Sequence, residues 1–309
     1  MEEVAFQNAF YIKLGRGGEW ENESIDRGLL RFGWSDVALE DINADRWSLI
    51  EKQLQRSGEQ TRRASEATRA YNGIRYIAES GSNDIWITFS RSKLWWTRLA
   101  CSPVEEDATS KFRRTAGRWR DTDVKGQPLF ANQLPGKLAQ TQAFRWTMCR
   151  AKYPDLLRRI LNATRSELSA AISSDRAALT DHVTQAIRQL HWRDFETLVD
   201  LVFRSAGWRR VSVLGEQAKG YDLLLQEPIT DHRYVIQVKS RAGLAQLEET
   251  LSNFSADDYR GVYFVVHSPD SSLASAVDLP EHVVVMPPEV LAEQAVDAGL
   301  IGWLEDKVR

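Results

Sequence analysis

Four residues in this chain have the types and spacing suited to metal-assisted hydrolysis of a phosphodiester: Glu196, Asp222, Gln237 and Lys239. A carboxylate binds a hard divalent cation through oxygen, and an amide oxygen can share that cation without adding charge. A lysine beside them can orient the attacking water and offset charge growing on the phosphate. Asp222 is the expected principal ligand of Mg²⁺, with Mn²⁺ as a substitute. Gln237 offers a neutral oxygen, and Glu196 makes up the missing charge directly or through water.

These residues need elements that aim them. In Arg233-Tyr234-Val235-Ile236-Gln237-Val238-Lys239-Ser240 successive side chains alternate between faces, so Gln237 and Lys239 share one face while Ile236 and Val238 enter a core. Gly220-Tyr221-Asp222-Leu223-Leu224-Leu225-Gln226 reads as the adjoining strand of a hairpin with its turn at 228–231, which brings Asp222 beside that pair. Upstream, Trp192, Phe195, Leu198, Val199, Val202, Phe203 and Ala206 recur at helical spacing, and Gly207 ends the pattern. Glu196 falls at the edge of this apolar stripe, whereas Asp194 and Asp200 lie well outside it.

The series Phe195-Glu196-x-Leu-Val, Gly220-x-Asp222 and Ile236-Gln237-Val238-Lys239 resembles the catalytic domain of Mrr-like restriction endonucleases, a branch of the PD-(D/E)XK nucleases. The resemblance covers roughly the last 120 residues. It implies an α/β core ordered helix, strand, strand, strand, helix, strand, with a helix over 243–254 and a buried strand over 261–266. It also implies Mg²⁺-dependent cleavage of double-stranded DNA by a homodimer. Glutamine at position 237 is a variant of this branch. The stretch 216–222 lacks the glycine-rich GDGGxD approach of many members, which puts in doubt how backbone nears DNA there.

Composition narrows the partners. The chain has 309 residues, 43% of them hydrophobic and 27% charged, as expected of an intracellular globular protein with two domains. It has no apolar run of membrane-spanning length, and Met1-Glu2-Glu3 lacks a signal peptide's basic region, so a cytoplasmic location is expected. Cys101 and Cys149 show no metal or disulfide spacing and read as ordinary core thiols. A net charge of −3 argues against coating nucleic acid through an overall field, so contact with DNA must be local. Lys111, Arg113, Arg114, Arg118, Trp119 and Arg120 form an acid-free basic run suited to phosphate contact and stacking, though such runs are commonly solvated loops. A second basic run spans 91–98. Lys219 and Arg241 flank the candidate catalytic residues as further DNA contacts.

Residues 1–150 hold eight of the eleven tryptophans. Short strand-like runs at 10–14, 28–34, 85–89 and 94–100, interrupted by a helix over about 44–70, predict an α+β domain: a small barrel with a helical insertion. Tyr11-Ile12-Lys13-Leu14-Gly15-x-Gly17-Gly18-x-Trp20, Leu30-x-Phe32-Gly33-Trp34 and Asn83-Asp84-Ile85-Trp86 are faintly similar to the EVE branch of PUA-like domains. That likeness implies a reader of bases, modified ones included, flipped from the duplex, with Trp20, Trp34 and Trp86 as cage residues. The plainer alternative is that these rings fill a core.

Residues 151–190 read as a helical connector, broken and restarted at Ser173-Ser174-Asp175, and 191–309 as the nuclease domain. The whole is expected to be a modification-dependent or otherwise sensor-gated endonuclease directed against foreign DNA. The alternatives are a non-catalytic nucleic-acid-binding or sensor protein that keeps the fold for its shape, and a nuclease effector activated by a partner or small nucleotide.

Overall fold

The computed structural model describes residues 3–61, 64–211, 221–255, 258–274 and 279–309. Lys219 and the rest of the 212–220 approach to Asp222 lie outside the described residues. The chain forms two compact units, Met1–Glu167 and Leu168–Arg309.

In the first unit the strands are β1 (Asn8–Ile12), β2 (Leu29–Phe32), β3 (Asp84–Ser90), β4 (Lys93–Thr97), β5 (Glu105–Glu106), β6 (Lys111–Arg114) and β7 (Met148–Arg150). They make a four-stranded sheet ordered β4-β3-β1-β7 and a three-stranded sheet ordered β2-β6-β5. The barrel expected from the strand spacing is corrected here, since among the described residues neither sheet closes. Pairing between the β4 region and the 115–120 segment stops at the isolated bridges Leu99–Thr115 and Trp96–Arg120. Gly117, at φ +93°, breaks the extended run between them.

The expected helical insertion lies between β2 and β3, as helices Trp47–Thr61 and Ala64–Glu79. Ile50, Leu54, Ile74 and Ile77 from these helices share a core with Leu30, Phe32 and Trp86. Arg31 is fully buried, and its guanidinium donates to Asp107 at 2.7 and 3.0 Å and to Glu23 at 2.8 Å. That pairing holds the Asp107 carboxyl well below the usual carboxylate range. Cys149 is half-buried and Cys101 is exposed, so Cys101 is not the core thiol expected.

The 151–190 stretch divides between the units. Helix Pro154–Leu161 sinks Leu157 and Leu161 into the first, and helix Glu167–Gln189 sinks Val183 and Ile187 into the second. The break expected at Ser173-Ser174-Asp175 is absent, because serine and aspartate only mildly disfavour a helix interior. The chain turns instead at Ala163, whose φ is +49°.

The second unit is a mixed sheet flanked by helices, as the α/β expectation required. Its strands are β8 (Arg209–Arg210), β9 (Leu223–Gln226), β10 (Arg233–Ala242), β11 (Gly261–Pro269) and β12 (Val283–Met286), ordered β12-β11-β10-β9-β8. β10 runs antiparallel to β9 and parallel to β11. Helices Trp192–Ser205 and Pro288–Asp297 pack on Leu223, Leu225, Ile236, Val238 and Val265, and helix Leu244–Ser252 packs with Phe264 and Val266. Among the described residues no helix is long and apolar enough to cross a membrane.

Candidate active site

Period-two alternation along β10 sorts its side chains. Ile236 and Val238 are buried against the Trp192–Ser205 helix, which leaves Gln237, Lys239 and Arg241 on the other face. Gln237 is buried, Lys239 half-buried and Arg241 exposed, so this face climbs from core to solvent in three steps. The register pairs Ile236 with Leu223, which sets Asp222, just before β9, beside Gln237.

The contact between them is direct. Gln237 Nε2 donates to Asp222 Oδ2, and the same oxygen accepts from the Val238 amide at 2.7 Å. Asp222 N in turn donates to the Ile236 carbonyl at 3.2 Å, so backbone and side chain both fix the carboxylate. Among the described residues Asp222 Oδ1 and the Gln237 amide oxygen have no hydrogen-bond partner. The neighbouring Tyr221 is buried, and its hydroxyl donates to the Asn253 carbonyl at 2.7 Å, tying the entry of β9 to the end of helix Leu244–Ser252.

Glu196 comes from the Trp192–Ser205 helix, where Phe195, Leu198, Val199, Val202 and Phe203 form the buried stripe. Trp192, read as part of that stripe, is 47% exposed at the first turn. The helix carries two other acids, and both are neutralised: Asp194 pairs with Lys307 at 2.8 Å and Asp200 with Arg204 at 3.0 Å. Glu196 has no such pair among the described residues. Glu196 is exposed, yet desolvation by the atoms around it and the negative charge of Asp222 push its pKa up, against a smaller lowering by Arg193. The charge of Asp222 is therefore felt at Glu196, a carboxylate from a distant part of the chain.

The pattern extends beyond these residues. Residues 187–271 match the Mrr catalytic family, described as restriction endonuclease, and that span encloses all four residues. The C-terminal half of the chain carries a restriction endonuclease domain. Its family consists of phosphodiester hydrolases. No curated protein matches the chain. Among solved structures, the DNA modification-dependent restriction endonuclease AspBHI is similar at 10% identity over 77% of this chain and 71% of that one, with a TM-score of 0.31. The restriction endonuclease FokI bound to DNA is similar at 12% identity over 68% of this chain and 38% of that one, with a TM-score of 0.26.

The donor set of the endonuclease domain fits Mg²⁺, which is commonly held by one or two carboxylates and water. Among the described residues no three His, Cys, Asp or Glu side chains cluster as ligands. A cation here would rest on Asp222, Glu196 and the Gln237 amide oxygen, and it would offset the Asp222 charge felt at Glu196. His267, which sequence reading passed over, lies on the opposite face of the sheet. Its ring meets Phe195 edge-on at 5.0 Å, and its buried Nε2 has no hydrogen-bond partner among the described residues.

The basic run 111–120 is corrected in part. Lys111 is buried and paired with Glu106 at 2.9 Å. Arg113 is buried and donates to the carbonyls of Ile77, Ser80 and Ala100. Trp119 is buried with its indole donating to the Leu29 carbonyl at 2.9 Å. All three are structural: β6 is the central strand between β2 and β5, where Lys111, Phe112 and Arg113 are all buried, and Trp119 packs on the core beyond it. Arg114 is exposed but held by Glu105 at 2.7 Å, which leaves Arg118 and Arg120 as the exposed cations of this run without an ion pair among the described residues. In the second basic run Arg91 pairs with Asp26 and Lys93 with Asp121.

The three tryptophans read as a base cage separate as well. Trp86 is fully buried, stacks on Phe10 at 4.9 Å and donates to Ser80 Oγ at 2.9 Å, so it is a core ring and no part of a cage. Trp20 is half-buried against the same core. Trp34 lines a cavity of about 190 Å³ together with Glu66, Arg69 and Trp146. Its φ of +64° is rare for a large side chain. Gly73 lies under the Trp34 ring, where a Cβ would come within 2.6 Å of it.

Proposed function

We propose that this chain is a metal-dependent DNA endonuclease in which residues 191–309 cut and residues 1–150 recognise a feature of the DNA, a modified base being the leading case. Defence against foreign DNA is the role that follows, and a pair of chains would cut both strands. One observation carries the reading: Asp222, fixed by Gln237 and the Val238 amide, stands with Glu196 inside the span that matches restriction endonucleases.

The residues divide the work by their chemistry. Asp222 and Glu196 concentrate negative charge where a divalent cation is wanted, and Gln237 adds an oxygen while keeping Asp222 in place. When bound, the cation supplies the positive charge that polarises a phosphoryl oxygen and acidifies water. Lys239, half-buried on the same face, orients the attacking water and balances charge building on the phosphate. Arg241, one step further toward solvent, is placed to hold the phosphate backbone.

The test is cleavage of matched phage DNAs that differ only in base modification, with Mg²⁺ and with EDTA. Mg²⁺-dependent cutting confined to one modification state is the expected result. Failure to cut any of them under any divalent cation would overturn the reading.

A further inference from the structure

The first unit contains a cationic cavity that the sequence reading did not single out. It has a volume of about 450 Å³, and its charged lining is all positive: Lys137, Arg145, Arg150 and Lys152. All four side chains are exposed, and none makes an ion pair among the described residues. This contrasts with the 91–98 and 111–114 cations, nearly all of which are spoken for by carboxylates or carbonyls. In a chain with a net charge of −3, an acid-free cluster of four unpaired cations is a local anion site.

Aromatic rings share the same wall. Trp146 and Tyr153 line the cavity and are 40% and 37% exposed, unusual for rings with that much apolar area. A cation sits over each: Arg69 lies 4.3 Å from the Trp146 ring and Lys137 lies 5.8 Å from the Tyr153 ring. Trp146 also forms a wall of the smaller cavity that contains Trp34. Four cations with two exposed rings match the needs of an unpaired nucleic-acid strand, phosphates for the cations and base faces for the rings.

We infer that the Arg145–Tyr153 cavity is where the first unit grips DNA: it binds an unpaired stretch of strand, with phosphates on Arg145, Arg150 and Lys152 and a base stacked on Trp146. The inference rests on DNA being the substrate. It moves the contact surface away from the 111–120 run.

The full-length protein would be titrated with a short duplex, and with the same duplex carrying one mismatched pair, using Ca²⁺ in place of Mg²⁺ so that no strand is cut. Arg145→Ala/Lys152→Ala should weaken both about tenfold and lower the log–log salt slope by about two, one for each phosphate contact removed. Trp146→Ala should remove most of the preference for the mismatched duplex, about tenfold, and Trp146→Phe should restore part of it. Arg118→Ala/Arg120→Ala should leave binding within about twofold. Melting curves for each protein separate lost contacts from lost fold. An unchanged salt slope in the first variant overturns the phosphate assignment, and an unchanged mismatch preference in Trp146→Ala overturns the base assignment. Loss of binding through Arg118 and Arg120 alone overturns both. None of these outcomes touches the nuclease reading, which fails separately if Asp222→Ala still cuts.

Discussion

Gln237 and Val238 donate to the same oxygen of Asp222, one through a side-chain amide and the other through its backbone N–H. Gln237 therefore has two separable duties, holding Asp222 with its nitrogen and offering its oxygen outward. Gln237→Glu keeps an oxygen and should preserve Mg²⁺-dependent cleavage, whereas Gln237→Leu loses both groups and should abolish it. Equal rates in all three proteins would reduce Gln237 to strand lining.

Asp222→Ala should abolish cleavage while leaving DNA binding largely intact, and Lys239→Ala should do the same. A residual rate within about tenfold of the parent corresponds to only about 1.4 kcal/mol of barrier and would remove that residue from the chemistry. Single-turnover rates with excess enzyme are the measurement.

Desolvation and the Asp222 charge together raise the Glu196 pKa, so its ionisation works weakly against the fold at this exposed position. Stability from this group is highest below its ordinary value of 4.5 and declines as pH rises through the raised folded value. Asp222→Asn removes the charged contribution but not the desolvation, so a carboxyl NMR titration should show the Glu196 midpoint falling part of the way toward normal. A midpoint that does not move would mean that the two carboxylates do not sense one another.

Asp107 has the opposite sign. Hydrogen bonding and charge from Arg31 depress its pKa, so its stabilising contribution is complete above 3.8 and fades as pH falls toward the lowered folded value. Asp107→Asn should lower the melting temperature at neutral pH, and the gap to the parent should close in acid. A gap that persists unchanged in acid would assign the effect to packing.

Trp86 and Trp34 should separate in a paired experiment. Trp86→Ala deletes a fully buried ring and should destabilise the protein by about 3–5 kcal/mol. Trp34→Ala, at a cavity wall, should lose less stability and alter DNA preference in a binding titration. Similar melting losses with unaltered binding in both would leave Trp34 as a packing residue too.

The endonuclease core was legible because its signals are local. The stripe from Phe195 to Phe203 and the alternation from Val235 to Lys239 each follow from one period, and the hairpin needs only a turn between two apolar runs. What stayed hidden depends on tertiary context. A basic run such as 111–120 gives no sign of which members turn inward until β6 is paired with β2 on one side and β5 on the other. Trp86 and Trp146 look alike in sequence, and only burial tells the core ring from the exposed one. The Val238 amide is a backbone group and leaves no sequence mark at all. Ser173-Ser174-Asp175 looked like a break because capping residues read the same whether a helix stops there or merely exposes them.

Asp231 closes the β9–β10 turn at φ +57°, and this hairpin alone decides which β10 side chains meet Asp222. A slip of a single residue in that pairing would swap the two faces, putting Ile236 and Val238 where Gln237 and Lys239 now stand and burying Lys239. Both strands would survive such a slip with their residues unchanged. The proposed site is thus vulnerable to an error of alignment that no substitution at Asp222, Gln237 or Lys239 would imitate, and the short stretch 227–232 guards against it.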